Sequence, residues 1–231
     1  MGREFPQATL FDYDGVLADT LDDMLRFATE TCAEMGYPRA PTPGDLDALE
    51  TMTFVDYGRQ LGVPAKRAEE FARRTMARFE AKPQPPAIFE GMVAVVRGAV
   101  SRGQVGIVTG ITIRAVLRFL EAHHLQAHVD ALIAVEHPGS RVDKTLAALP
   151  QLGRLPHEAT FVGDAVSDIR ACRHTVPVSC REAGLRSVPV GWGNQRRPAS
   201  PRPGQTSWSG HPKRCSSCSS GCSPRPTARH E

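Results

Sequence analysis

The chain has 231 residues, enough for one ordinary domain with a sizeable core or one domain carrying a smaller insert. Its formal net charge of +3 is uneven: from Asn194 onward seven Lys or Arg stand against the single acid Glu231, leaving residues 1 to 193 net negative by three. The basic balance is therefore no nucleic-acid footprint, and without a membrane-length apolar run or a signal-peptide pattern near the N-terminus a cytoplasmic protein is expected, with neither nucleic-acid nor membrane partners.

The first β-type run is ATLFDYD, from Ala8. About seventy residues then pass with no convincing strand, too long for an ordinary crossover and too periodic for a loop. In that stretch Leu21, Met24, Leu25, Ala28, Cys32 and Met35 share a helical face, and Gly36 is placed to stop the helix. Thr42-Pro43-Gly44-Asp45 reads as a capping box with Pro at the first helical position, and Val63-Pro64 opens a helix over residues 65–81. Lys82-Pro83-Gln84-Pro85-Pro86 stiffens the return. Residues 17–87 are thus expected to form a helical cap inserted into a core made of residues 1–16 and 88–193.

Beyond the insert, short apolar runs alternate with helix-period segments. VGIVTG begins at Val105, ALIAV at Ala131, ATFVGD at Ala159 and SVPVGW at Ser187, with helices expected over 91–102, 112–124, 144–152 and from about Ser167. This alternation predicts an α/β fold, a doubly wound parallel sheet with helices on both faces. Functional groups in such sheets gather at the carboxyl ends of the strands. Cys32, Cys172 and Cys180 lack framework spacing and read as small core residues.

Asp12 and Asp14 stand two apart at the end of the first run, before Gly15, so both can face one site. Thr109 ends the second run, Lys144 opens a helix after a polar loop, and Asp164 and Asp168 follow the fourth. Each has a plain alternative: solvated strand-end acids, a strand-end threonine, a solvated lysine, or acids favoured by a helix N-terminus. Together they place four acids, a hydroxyl and a lysine on one sheet edge, a concentration of negative charge that needs a cation. Hard carboxylate oxygens without His or Cys at ligand spacing select Mg²⁺ over Zn²⁺. Such a site suits a phosphoryl group.

DYDGVLADT, IVTG, the isolated Lys144 and GDAVSD, in this order, resemble the four motifs of the haloacid dehalogenase-like hydrolase superfamily, across roughly residues 8 to 193. The helical insert resembles the superfamily's small helical cap class, and the sequence is most similar to phosphoglycolate phosphatase-like members. The resemblance implies that Asp12 is the nucleophile and Asp14 the general acid and base. It implies that Thr109, Gly110 and Lys144 hold phosphoryl oxygens. Mg²⁺ would be bound by Asp12, the Asp14 carbonyl and Asp164, with Asp168 acting from outside the direct ligands. Dehalogenases lack the second aspartate, so Asp14 favours phosphoryl transfer. The expected activity is hydrolysis of a small phosphorylated metabolite, with Tyr57, Arg59, Lys66 and Arg67 of the cap as candidates for specificity.

Two other readings stay open: a β-phosphoglucomutase-like phosphotransferase, and an impaired, non-catalytic relative. The second follows from CRHTVPVSCREAGLRSVPVGWG, from Cys172, where Cys-Arg and Val-Pro-Val each occur twice, as if about eight residues had been inserted after Cys172 beside the motif that carries Asp168; a shift of about 1 Å there would suffice to slow catalysis. Residues 194–231 carry no apolar periodicity and are expected to be disordered. Their cysteines, Cys215, Cys218 and Cys222, lack a secure fourth ligand for zinc, with His211 and His230 the candidates. Written in GC-rich codons and shifted by two bases, residues 211–223 acquire the Leu and Glu spacing of a surface helix, so the tail reads as a frame-shifted segment.

Overall fold

β1 (Ala8–Phe11) is apolar at every position but one and sits at the centre of a five-stranded sheet, described in a computed structural model for residues 6–165 and 185–194. The other strands are β4 (Gln104–Val108), β5 (Ala131–Ile133), β6 (Ala159–Gly163) and β7 (Arg186–Pro189), and the order is β5-β4-β1-β6-β7 with every pairing parallel. Strands buried on both faces need continuous apolar runs, which is why VGIV and ATFV carry no alternation.

The chain steps from β1 to β4 on one side and later to β6 on the other, so the order reverses at β1. Phe11 is level with Ile107 of β4 and Val162 of β6. Asp12, Thr109 and Asp164, each just past its strand, therefore emerge side by side at the carboxyl edge where ligands bind in such sheets.

Between β1 and α5 (Met92–Val100) lies the helical insert: α1 (Leu21–Glu34), α2 (Pro43–Asp47), α3 (Phe54–Gln60) and α4 (Ala65–Ala81). Met24, Ala28, Cys32 and Met35 are buried along one line of α1, and Gly36 takes a left-handed φ of 81° that ends it. The Thr42/Asp45 box caps α2. Phe27 packs edge-on against Phe79 at 4.8 Å, and Gly58 lets α3 lie on Phe71, whose ring a Cβ would meet at 2.6 Å.

The expectation of no strand between β1 and Glu90 needs correction. β2 (Ala18–Asp19) and β3 (Ala87–Ile88) pair antiparallel where the chain leaves and re-enters the sheet. Two residues are too few to carry a period-two pattern, so nothing in the sequence marks them. The return segment is pinned by Arg118 of α6 (Ile113–Ala122), whose guanidinium donates to the carbonyls of Glu80, Lys82 and Pro83, each at 2.9 Å.

A second correction concerns α7 (Arg141–Gln151), which starts three residues before Lys144 rather than at it. Ser140 and Asp143 cap its N-terminus reciprocally, Ser140 Oγ accepting from the Asp143 N–H at 3.3 Å and the Asp143 carboxylate accepting from the Ser140 N–H at 2.8 Å. Asn194, assigned from sequence to the tail, is 2% exposed and packs against the site. The expected helix from Ser167, Asp168, Cys172, Cys180, the eight-residue insertion and the tail from residue 195 lie outside the described residues. Among the described residues no helix is long and apolar enough to cross a membrane.

Candidate active site

Between the sheet edge and the helical insert lies a cavity of about 310 Å³, lined from below by Asp12, Asp14, Gly110, Arg141, Lys144 and Asp164. Past Phe11 the backbone turns over residues 13–18, with Gly15 at φ 73° and the Leu17 and Ala18 N–H groups donating to the Tyr13 carbonyl at 3.0 and 2.9 Å. The turn sends Tyr13 into the core, edge-on to Phe119 at 5.0 Å, and brings Asp12 and Asp14 to the cavity. Solvated strand-end acids are ruled out: Asp12 is 4% exposed, and Asp14 Oδ1 is buried with no hydrogen-bond partner.

Burial raises the Asp14 carboxyl to about 6, with Thr20 and Arg141 pulling it back. A carboxyl held there can be protonated or ionised near neutral pH, as a group that both gives and takes a proton must be. Asp12 is engaged differently. Its Oδ1 accepts from the Tyr13 N–H at 2.7 Å, and the Arg141 guanidinium donates to Oδ1 and Oδ2 at 3.2 and 3.1 Å. The same guanidinium reaches the Val108 carbonyl at 2.7 Å, tying α7 to the end of β4.

Lys144, on the first turn of α7, is 8% exposed and donates from Nζ to the Thr109 carbonyl at 3.2 Å. Burial and then Arg141 lower its pKa, against Glu136 and Asp12. Thr109 is fully buried and its Oγ1 accepts the Ile111 N–H at 3.1 Å, and the next residue, Gly110, lines the cavity.

Asp164 is 5% exposed and is clamped by glycines. A Cβ on Gly15 would lie 2.4 Å from its Oδ2, and one on Gly193 would lie 2.1 Å from its Cβ. The Asn194 N–H donates to Asp164 Oδ2 at 2.6 Å, and the Asn194 amide reaches Thr20 Oγ1 at 3.1 Å. The segment after β7 thus fixes the acid after β6 and the start of α1.

The residues read from sequence as Asp12, Asp14, Thr109, Gly110, Lys144 and Asp164 meet at this edge; Asp168 lies outside the described residues. Arg141, Asn194 and the Ser140/Asp143 box were missed. Ser-x-x-Asp in SRVD is itself a helix-start signal, and it would have put Arg141 and Lys144 three apart on one face. Of the cap candidates Tyr57 lines the cavity, whereas Arg59 pairs with Asp56 at 3.1 Å and Arg67 with Glu70 at 3.0 Å, and neither these two nor Lys66 reaches it.

Among the described residues no three His, Cys, Asp or Glu side chains stand together as a metal cluster. The donors present are the carboxylates of Asp12 and Asp164 on one cavity wall and the oxygens of the Asp14 turn. Such a set fits Mg²⁺, which takes one or two carboxylates and leaves its other positions to water and phosphate.

The family model of the haloacid dehalogenase-like hydrolases matches residues 9–177, and the chain belongs to that family. It is similar to a phosphoglycolate phosphatase from Xylella fastidiosa, 29% identical over 202 residues that cover 82% of each chain. It is also similar to the tyrosine-protein kinase PtkA of Mycobacterium tuberculosis, 26% identical over 208 residues, 84% of this chain and 65% of that protein. In fold it resembles the haloacid dehalogenase-like family protein SP0104 from Streptococcus pneumoniae, with a TM-score of 0.68 at 18% identity over 83% of this chain and 88% of that one.

Proposed function

We propose that the protein is a magnesium-dependent phosphatase acting on a small phosphorylated metabolite through an aspartyl-phosphate, with residues 17–87 as the cap over a core of residues 1–16 and 88–193. One observation carries this reading: two acids in different surroundings face one cavity, Asp12 buried and gripped by Arg141, and Asp14 with a buried, unpartnered Oδ1 and its carboxyl raised to about 6. The phosphoglycolate phosphatase relative and the family match support it.

An Asp12 carboxylate oxygen attacks phosphorus, the ester P–O bond breaks, and Asp14 gives its proton to the departing alkoxide. Asp14, now ionised, takes a proton from water as that water attacks phosphorus, and the Asp12–phosphorus bond breaks to release inorganic phosphate. Arg141 and Lys144 present two cations to the phosphoryl oxygens, the Arg fork being able to grip two at once. Thr109 and the Gly110 N–H complete that cradle. Asp12, Asp164 and the Asp14 carbonyl would hold Mg²⁺, with Asp168 the further acid implied by the family resemblance; when bound it screens the repulsion between the Asp12 carboxylate and the phosphate. Arg141 spans the nucleophile in the absence of substrate and is placed to exchange onto the incoming phosphoryl group.

The PtkA relative favours a second reading, transfer of the phosphoryl group to an acceptor other than water. The test is hydrolysis of p-nitrophenyl phosphate with Mg²⁺. Activity should be abolished by Asp12→Asn and by a chelator, and turnover strongly reduced by Asp14→Asn, which lacks the base for water attack although nitrophenolate leaves unaided. Retention by Asp12→Asn overturns the nucleophile; phosphate found on an added acceptor and not in water favours the second reading.

A further inference from the structure

The wall that the helical insert contributes to the cavity is unlike the floor. Met24, Leu49, Met52, Phe54, Tyr57 and Met76 supply most of it, and the insert contributes no Lys or Arg. Its one charged member is the exposed acid Glu69. The cationic side chains of the cavity, Arg141 and Lys144, lie on α7 beside Asp12 and Thr109, with His137 in the segment just before them. They stand where a phosphoryl group would be held. Of the basic residues on the same helices, Arg59 pairs with Asp56, Arg67 with Glu70 and the Met35 carbonyl, and Arg78 with Glu30 and Glu34, and none of them nor Lys66 or Arg73 lines the cavity.

A carboxylate on the far half of a substrate would thus leave water for an apolar wall, with an acid at its rim and no cation supplied by the insert. An aromatic or aliphatic group would bury its surface against thioethers and rings that adapt to its shape. The volume of about 310 Å³ is near the lower end of the roughly 300–1,000 Å³ usual for small-molecule pockets, room for a phosphoryl group and one ring-sized substituent.

We infer that the substrate is a phosphate monoester of an uncharged, apolar alcohol of about ring size, and that Met52 and Met76 are among the residues that select it. This rests on the phosphatase reading above. It separates the chain's specificity from that of the phosphoglycolate phosphatase it is similar to, since phosphoglycolate carries a carboxylate at the end that would meet the insert.

The test compares three alkyl esters under one condition: benzyl phosphate, its para-carboxylate, and phosphoglycolate. Benzyl phosphate should exceed each of the other two in kcat/KM by about tenfold or more. Met76→Lys and Met52→Lys place an ammonium on half-buried positions of the wall and should raise the para-carboxylate to benzyl ratio by about tenfold, mainly through KM. Met52 lies between helices, so its variant carries the test if Met76→Lys does not fold. Preference of the unaltered enzyme for a carboxylated ester overturns the inference and leaves the phosphatase reading standing, as does a ratio unmoved in a folded variant. Hydrolysis of none of the three overturns the inference, and the phosphatase reading falls with it only if p-nitrophenyl phosphate is also left intact.

Discussion

Arg141 grips both carboxylate oxygens of Asp12 across 129 residues of sequence, at 3.2 and 3.1 Å. Only 5% of the Asp12 side chain and 16% of the Arg141 side chain remain exposed, so this is a screened, forked contact rather than a surface ion pair. The first prediction follows from the fork. Arg141→Ala should lower kcat/KM by about 10²–10³, in the range found for removing one preorganised donor to developing charge. Arg141→Lys should recover only part, because one ammonium cannot reproduce two parallel N–H bonds. Steady-state kinetics on one ester decides it. Full activity in Arg141→Lys would reduce the residue to a point charge.

The state of Asp14 predicts a pH dependence that differs between leaving groups. Burial first, opposed by Thr20 and Arg141, sets its carboxyl at about 6. As pH rises through that value the proton needed by an alkoxide is lost, so kcat/KM for an alkyl phosphate should fall. A nitrophenolate leaves without help, and its rate should fall much less over the same interval. Parallel profiles for the two esters would remove Asp14 as the acid.

Much of this arrangement was legible in the sequence because its parts depend on local pattern. Buried parallel strands are continuous apolar runs, so VGIVTG and ATFVGD announced both the strands and the edge where Thr109 and Asp164 lie. The helices of the insert were marked by their own punctuation, Gly36 and the Thr42/Asp45 box. What stayed hidden depends on distant partners. Arg141 reads as part of a polar loop until the fold brings Asp12 to it, and Asn194 sits at the start of a polar tail until Asp164 and Thr20 close around it. Of the specificity candidates Tyr57 lines the cavity, and two of the others stand away from it for a related reason. Arg59 and Arg67 were chosen for their charge, yet neighbours three residues away on the same helices engage them.

Gly193→Ala is predicted to damage the site through Asp164. The added Cβ would fall 2.1 Å from Asp164 Cβ, too close for a short side chain already held by the Asn194 N–H to move aside without losing that bond. Displacement of the acid by about 1 Å can cost about a hundredfold in rate. Asn194→Ala keeps the backbone donor and loses the Thr20 bond, so it should cost only about 1 kcal/mol in stability. Thermal unfolding and turnover measured on both variants test the ordering. Equal losses in the two would place the effect in Asn194 rather than in Asp164.

The last prediction concerns the cap of α7, the helix that delivers Arg141 and Lys144. Hydrogen bonds from the Ser140 side chain and backbone lower the Asp143 carboxyl below its ordinary value, against a smaller opposing effect of burial and with help from His137. A depressed carboxylate contributes stability above its unfolded value of about 3.9 and loses it as pH falls through the folded value below that. Ser140→Ala removes the single hydroxyl that both accepts from the Asp143 N–H and donates to the Asp143 carboxylate. At neutral pH the substitution should therefore destabilise the protein by about 1 kcal/mol, as N-cap losses usually do. The gap between unaltered protein and variant should narrow once pH drops below about 4, because protonated Asp143 no longer returns the bond in either chain. Turnover should fall with the fraying of the first turn, since Arg141 occupies its first position and Lys144 its fourth. Melting temperatures from pH 7 to pH 3 read the effect directly, and a gap that does not change across that range would mean the box contributes through shape alone.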